Sequence, residues 1–205
     1  MIVLDIRDEF DRLAWQIAEP IQSAPTVLVT WTVTPEPVDA GMPMRVAEPF
    51  SDALAALGPV LFAGNPDHQT SVAATCKIPL RRGLRRHDLF LFRASTGAQV
   101  LPAFSSGRHD WSMGAQWLVV IDRAAAVDTE LGALVKQLFE DWSFPERWPG
   151  ALRVIIQAAV DGDGAACHCR DPAVRDELID AMQRSAGAYG AQLRVNMASP
   201  GQPQA

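Results

Sequence analysis

Residues 152–170 have the sequence LRVIIQAAVDGDGAACHCR, in which two apolar runs flank a short stretch of aspartate and glycine. The first run is rich in β-branched residues, which favour strands. Asp-Gly pairs form the tight turns of β-hairpins, so Asp161-Gly162-Asp163-Gly164 predicts a chain reversal and the second run predicts the returning strand. Asp171-Pro172 then predicts the N-cap and first turn of a helix that ends near Ala186. A hairpin followed by a helix is therefore the starting point for the fold.

Further strands are predicted on both sides of this hairpin. In Thr26–Thr34 the apolar residues alternate with threonines, which is typical of a half-buried strand. Residues 116–122 form a continuous apolar run, which is typical of a buried strand. Together, the predicted strands are 26–34, 59–63, 71–80, 88–94, 116–122, 152–160, 165–170 and 192–197.

Helices are predicted from apolar residues at helical spacing. Such a stripe near the N-terminus predicts a helix that ends at Pro20; it consists of Val3, Ile6, Phe10, Leu13 and Ile17. Four prolines and a glycine predict a loop over 35–49, followed by a short helix from Pro49 to Leu57. A second clear stripe predicts a helix over 128–142.

These elements predict one α+β domain over residues 1–198. We expect a mainly antiparallel sheet of about six strands, with an N-terminal helix and two helices from the C-terminal half packed on it. A lobe boundary near residues 124–128 is the alternative. The polar residues 199–205 are expected to be a disordered tail.

The composition bounds the class of protein. The chain has 205 residues, of which 48 % are hydrophobic and 20 % are charged, as in ordinary globular proteins. Its net charge of −6 argues against a surface-wide footprint for nucleic acid or anionic membrane. Charged residues begin at Asp5, and no apolar run is long enough to span a bilayer. We therefore expect a soluble, acidic, cytoplasmic protein that does not bind membranes.

The cysteines are expected to be structural. Three cysteines are too few for a disulfide framework. In a strand, the alternation of Cys167, His168 and Cys169 places both sulfurs on one face and the imidazole on the other, so the three cannot converge on zinc. Asp161 and Asp163 match the start of a calcium loop, but the later ligand positions do not match. We predict no metal and no cofactor.

One loop contains the groups that hydrolytic enzymes use. Ser106, His109 and Asp110 lie within a few residues of one another. Catalytic triads converge from separate segments, and a surface turn is the simpler explanation for this composition. We assign no catalytic residue, and an enzyme built on this chain would use His109 with a carboxylate from elsewhere.

A basic segment follows the third predicted strand. It consists of Arg81, Arg82, Arg85, Arg86 and His87. Clustered guanidinium groups bind phosphates or acidic partners through planar, bidentate contacts. Basic residues at a hairpin tip also keep strand edges from aggregating, and both interpretations stay open. The segment has no interleaved aromatic residues, which disfavours binding of single-stranded nucleic acid.

A proline-bounded loop over 143–150 carries aromatic residues. Phe144, Arg147 and Trp148 lie where neither helical nor strand spacing demands an apolar residue. Tryptophan and arginine are enriched in the hot spots of protein interfaces. The alternative is a plug that seals the gap between the helix 128–142 and the strand 152–160.

The functional prediction is a non-catalytic protein-binding module of a bacterial type, such as an immunity protein, a chaperone or an adaptor. Its partner would be another protein, and nucleic acid is not favoured. The first alternative is a phosphate or nucleic-acid binder that uses Arg81–His87. The second alternative is an enzyme with its site around His109. The sequence predicts no oligomeric state.

Overall fold

A computed structural model describes residues 1–17, 24–34, 42–64, 74–82, 85–106, 117–127, 129–140, 144, 147, 148, 150–159 and 164–197. For residues 44, 64, 74–82, 85–89, 105, 106, 129, 136, 139 and 140 it describes the main chain alone. The strands are β1 Ile2–Arg7, β2 Thr26–Val33, β3 Val60–Gly64, β4 Ala74–Arg82, β5 Arg85–Ala94, β6 Trp117–Ile121, β7 Leu152–Ala158, β8 Gly164–Cys169 and β9 Gln192–Asn196. The helices are α1 Met44–Leu57, α2 Gly97–Val100, α3 Pro102–Ser106, α4 Thr129–Glu140 and α5 Pro172–Ala188.

The nine strands form one sheet, in the order β4-β5-β3-β6-β7-β8-β2-β1-β9. Every described pair is antiparallel except β1 with β9, which is parallel. The α+β class and the mainly antiparallel sheet are therefore confirmed. The predicted number of about six strands is too low, because all the strands join a single sheet and a further strand forms at the N-terminus.

The prediction of an N-terminal helix is wrong. Residues 2–7 form β1, which pairs with β2 on one side and β9 on the other. Leu4 and Ile6 are buried against the helices, an alternation of period two that the helical stripe concealed. A short apolar run fits both periods, and the hydrogen bonds offered by two neighbouring strands decide between them.

The first described helix is longer than predicted. α1 begins at Met44, with Pro43 as its N-cap, rather than at Pro49. Pro49 lies inside the helix, although a proline there cannot donate to the carbonyl one turn earlier. The Pro49 carbonyl instead accepts a hydrogen bond from the buried Ser185 hydroxyl of α5 at 2.7 Å, which ties the two helices together.

The sheet buries a different core on each face. On the first face, residues of α1, α2, α3 and α5 pack on a large apolar cluster that includes Leu4, Val29, Phe62, Cys167 and Cys169. On the second face, α4 covers a smaller cluster that runs from Leu61 to Ile155. Beside it, residues 10–17 cover Ala159 and Ala166. The centre of the sheet is therefore covered on both faces.

The end of α1 is held by arginines from other segments. Arg123 donates to the Ala56 carbonyl at 2.9 Å, and Arg153 donates to the Leu57 carbonyl at 2.6 Å. Cations at a helix C-terminus are favourable because the last carbonyls have no partners within the helix. Gly58 follows directly, and a Cβ built there would lie 2.2 Å from the Ile121 carbonyl oxygen. The chain therefore needs glycine for this close approach.

The C-terminal elements agree with the predictions. β7 and β8 form the expected hairpin, with Ala158 opposite Ala165. Asp171 is the N-cap of α5, and its side chain accepts a hydrogen bond from the Val174 N–H at 2.9 Å. The residues of the expected tail, 199–205, lie outside the described part of the chain. No helix in the described part combines the length and the apolar character needed to cross a bilayer.

Candidate functional site

The strand β8 separates its two sulfurs from its imidazole. Cys167 and Cys169 belong to the core of the first face, whereas His168 is buried on the second face. The split that alternation predicts is therefore present. Among the residues that the structure describes, no group of three or more His, Cys, Asp and Glu side chains is placed to hold a metal ion.

Burial keeps both thiols protonated. It raises the pKa of Cys167 well above its usual value, and the neighbouring Cys169 adds to the increase. Burial likewise raises the pKa of Cys169 to about 12. A thiol is nucleophilic and binds metals only as the thiolate. These two cysteines are therefore core side chains and not reactive groups.

His168 is neutral and held in one orientation. Its ring is fully buried, and this burial is the main reason that its pKa falls to about 3, with the positive charge of Arg12 contributing. Its Nδ1 lies 3.0 Å from the Thr26 hydroxyl, which also donates to the Ala24 carbonyl at 3.3 Å. Either the Thr26 hydroxyl donates to Nδ1 or Nδ1–H donates to the Thr26 oxygen, and in both tautomers Nε2 is the ring nitrogen left over.

Phe144 lies between His168 and Trp117. Its ring centroid is 4.7 Å from that of His168 and 5.6 Å from that of Trp117, both in edge-to-face geometry. Neither His168 Nε2 nor Trp117 Nε1 has a hydrogen-bond partner in the described structure, although both atoms are buried. Each unpaired buried polar atom lowers the stability of the fold by about 1–3 kcal/mol, so two such atoms in one cluster are unfavourable for a protein core.

A buried amide extends this polar group across the sheet. Gln157 of β7 is the Cα partner of Trp117 on one side and of Ala166 on the other. Its Nε2 donates to the Gln16 carbonyl at 3.3 Å, which fixes residues 10–17 over the sheet. Trp117, Gln157, His168, Thr26 and Phe144 together form what we call the aromatic-polar cluster.

The turn above the cluster is tightly ordered. The Asp11 carboxylate accepts from the Leu13 N–H at 2.9 Å, and the Arg12 carbonyl accepts from the Ile17 N–H at 2.8 Å. Gln16 closes the turn with φ of +50°, a left-handed conformation that usually needs glycine or asparagine. Leu13 stands at the tip and is 89 % exposed. The apolar residue that the predicted helix would have buried is therefore presented to solvent.

The loop that is predicted to bind a partner, residues 143–150, has partly buried aromatic side chains. Phe144 and Trp148 pack on the cluster under α4, and the Trp148 indole donates to the Leu152 carbonyl at 2.7 Å. Arg147 is exposed. These contacts favour the plug interpretation for the two aromatic residues. Partner binding by Phe144, Arg147 and Trp148 stays a prediction.

The basic segment lies on paired strands. Arg81 is the Cα partner of Arg86, and Arg82 is the Cα partner of Arg85, next to the reversal between β4 and β5. His87 is opposite Leu80. Anion binding by this segment also stays a prediction.

The structure describes little of the alternative catalytic loop. Ser106 is the last residue of α3, with only its main chain described. His109 and Asp110 lie outside the described residues.

Sequence reasoning missed most of the aromatic-polar cluster. Thr26 and His168 are 142 positions apart, and no periodicity in either strand indicates that they are neighbours. The one usable signal was the polar residue Gln157 inside the apolar run of β7, since a buried amide needs partners.

In comparisons with known proteins, no family model, no curated protein and no solved structure matches this chain.

Proposed function

We propose that the chain is a non-catalytic module that binds another protein through the turn of residues 10–17, with Leu13 as the anchor. The observation that carries this proposal is the 89 % exposure of Leu13 at the tip of a turn held by its own hydrogen bonds. Single exposed leucines are common on protein surfaces. An exposed leucine on a rigid support is different, because little conformational freedom is lost when a partner covers it.

The support of this turn comes from the sheet. Ile17 is buried against Ala159 and Ala166, and Phe10 and Trp15 pack on the same small cluster. The Arg12 guanidinium lies 5.2 Å from the centroid of the Phe10 ring, which holds a positive charge close to the anchor. The Asp11 carboxylate, which accepts a hydrogen bond from the Leu13 N–H, supplies a negative charge next to the anchor. We therefore expect a partner with a small apolar pocket whose rim carries both signs of charge.

The absence of catalysis in this proposal rests on the chemistry of the buried titratable groups. Burial holds Cys167, His168 and Cys169 in their neutral forms. A general base works best with a pKa near the working pH, so His168 is too weakly basic, and a thiol nucleophile needs a pKa near or below that pH, so the two cysteines stay protonated. Side chains of this kind suit a structural scaffold for a binding surface.

Photocrosslinking tests this proposal. A benzophenone amino acid at position 13 should give a discrete adduct with one protein in native-host cells, whereas the same group at the exposed position Glu130 of α4 should not. Excess parent protein should compete for the adduct, and the Leu13→Asp variant should not. Leu13→Asp should change the free energy of unfolding by less than about 0.5 kcal/mol, as surface substitutions usually do. Identical adducts from both positions would contradict the proposal.

A second candidate function is anion binding at the β4–β5 hairpin. Its support is the register, which puts Arg81 opposite Arg86 and Arg82 opposite Arg85. Like charges directly opposite each other destabilise a strand pair, and a bound phosphate would relieve that repulsion.

For this second candidate, we expect Arg81→Gln with Arg86→Gln to weaken binding of pyrophosphate at low salt by at least tenfold. The control removes the same charge from exposed positions elsewhere, Arg45→Gln with Arg194→Gln, and should change the affinity less than twofold. Isothermal titration calorimetry gives both affinities. Equal losses in the two variants would show that only the net charge matters.

A further inference from the structure

The aromatic-polar cluster has two buried polar atoms without partners in the described structure. The Trp117 indole offers Nε1–H, and the His168 ring offers Nε2, because its Nδ1 is engaged by Thr26. Both rings face Phe144, whose centroid is within 5.6 Å of each. Phe144 can fill the space between them but can satisfy neither atom, because a phenyl ring has no hydrogen-bonding group.

We propose that Phe144 occupies the position of a ligand, and that this site binds a small neutral aromatic molecule carrying a hydroxyl group. The ligand ring takes the place of the Phe144 ring, in edge-to-face contact with Trp117 and His168. Its hydroxyl, which can donate and accept, hydrogen-bonds to His168 Nε2 or accepts from Trp117 Nε1–H, and so pairs an atom that Phe144 leaves unpaired. The proposal is independent of the partner surface around Leu13.

The walls of this site are fixed by the sheet. Trp117 lies on β6 and His168 on β8, with β7 hydrogen-bonded between them. Thr26 on β2 prevents the His168 ring from turning away. Trp117 Nε1 and His168 Nε2 are therefore oriented before any ligand binds, and small-molecule sites are usually pre-formed in this way.

Phe144 is the part of the site that a ligand would displace. It lies outside the described helices and strands and is half-buried. Its main chain is tied by the Gln137 side chain, which donates to the Phe144 carbonyl at 2.9 Å. Rotation of the ring about its side-chain bonds leaves that hydrogen bond intact. A ligand can therefore displace the ring without unfolding the segment.

The charge state of the site selects neutral ligands. His168 is neutral in the folded protein because its burial disfavours the imidazolium. Thr26 and Phe144, which contact its ring, carry no charge, and Arg12 is the charged group that lowers its pKa further. A phenolate or a carboxylate would lose its hydration on entering this buried site. A protonated hydroxyl loses far less.

Titration of the full-length protein with phenol and with toluene tests this site. The two molecules have the same shape, and only phenol carries the hydroxyl. The readout is the NMR resonance of the Trp117 indole N–H, assigned with the Trp117→Phe variant. We expect phenol to shift this resonance saturably and toluene to leave it unchanged at the same concentration. No saturable shift, or the same shift with both molecules, would overturn the proposal, and a trapped water that pairs both atoms would produce that negative result.

Removal of the Phe144 ring sharpens the test. In Phe144→Ala, phenol no longer competes with the side chain and should bind about tenfold more tightly than to the parent protein. In Phe144→Ala with His168→Phe, the preference for phenol over toluene should disappear. A thermal melt confirms that each variant is folded, and Phe144→Leu replaces any that is not. A folded Phe144→Ala that binds phenol no better than the parent, or no better than toluene, would contradict the assignment.

Discussion

Acidification from pH 7 to pH 3 is expected to remove about 4 kcal/mol of stability through His168 alone. The pKa of this histidine is about 3 in the folded protein because the ring is fully buried. In the unfolded chain its pKa returns to about 6.5, so the unfolded state binds a proton that the folded state refuses. The stabilising contribution is therefore complete above pH 6.5 and declines by about 1.4 kcal/mol per pH unit as the pH falls towards 3.

The His168→Phe variant isolates this contribution. It keeps an aromatic ring at the position and removes the titration and the unpaired Nε2 atom. Urea unfolding of the parent and the variant should be compared at pH 7, 6, 5 and 4. The parent should lose stability relative to the variant at every step. The carboxylates are the same in both proteins, so their titration cancels in the difference between the two pH profiles. Parallel pH profiles would show that the histidine is not buried as a neutral ring.

The substitution Gly58→Ala is expected to destabilise the protein by about 3 kcal/mol or more. The added Cβ would lie 2.2 Å from the Ile121 carbonyl oxygen, where no side chain can rotate away to make room. The next residue is also fixed, because the Pro59 carbonyl accepts a hydrogen bond from the Ile121 N–H at 2.9 Å. Relief therefore requires α1 to move away from β6.

Gly132→Ala is the matched control for this substitution. It adds the same methyl group inside α4, where nothing lies within 4 Å of the new Cβ. Alanine is the better helix former, so this variant should gain about 0.5–1 kcal/mol. Urea unfolding measures both free energies. Similar values for the two variants would show that the contact between Gly58 and Ile121 is not tight.

The local sequence pattern predicts an element of this fold correctly where the apolar spacing fits only a helix or only a strand. In β7, β8 and α5 the apolar runs and the Asp171-Pro172 cap agree with the structure, and the predicted Asp-Gly turn at residues 161–163 lies outside the described residues. In residues 3–17 the apolar spacing fits a helix, yet β1 ends at Arg7 and a separate turn follows. Residues 2–7 reach the sheet because β2 and β9 offer two rows of hydrogen-bonding groups. The sequence of residues 2–7 does not indicate that these hydrogen bonds are available.

The same distinction applies to the candidate site. The alternation of Cys167, His168 and Cys169 was sufficient to put the imidazole on the opposite face from the sulfurs, because the strand period of two is a property of the backbone. The sequence by itself also determined the α+β class, through the lengths and periods of its apolar runs. Only the tertiary structure decided that Thr26 and Phe144 contact His168, that Trp117 contacts Phe144, and that Leu13 faces solvent. Those contacts depend on the order of the strands in the sheet, which is set by packing between segments far apart in the chain and leaves no local pattern.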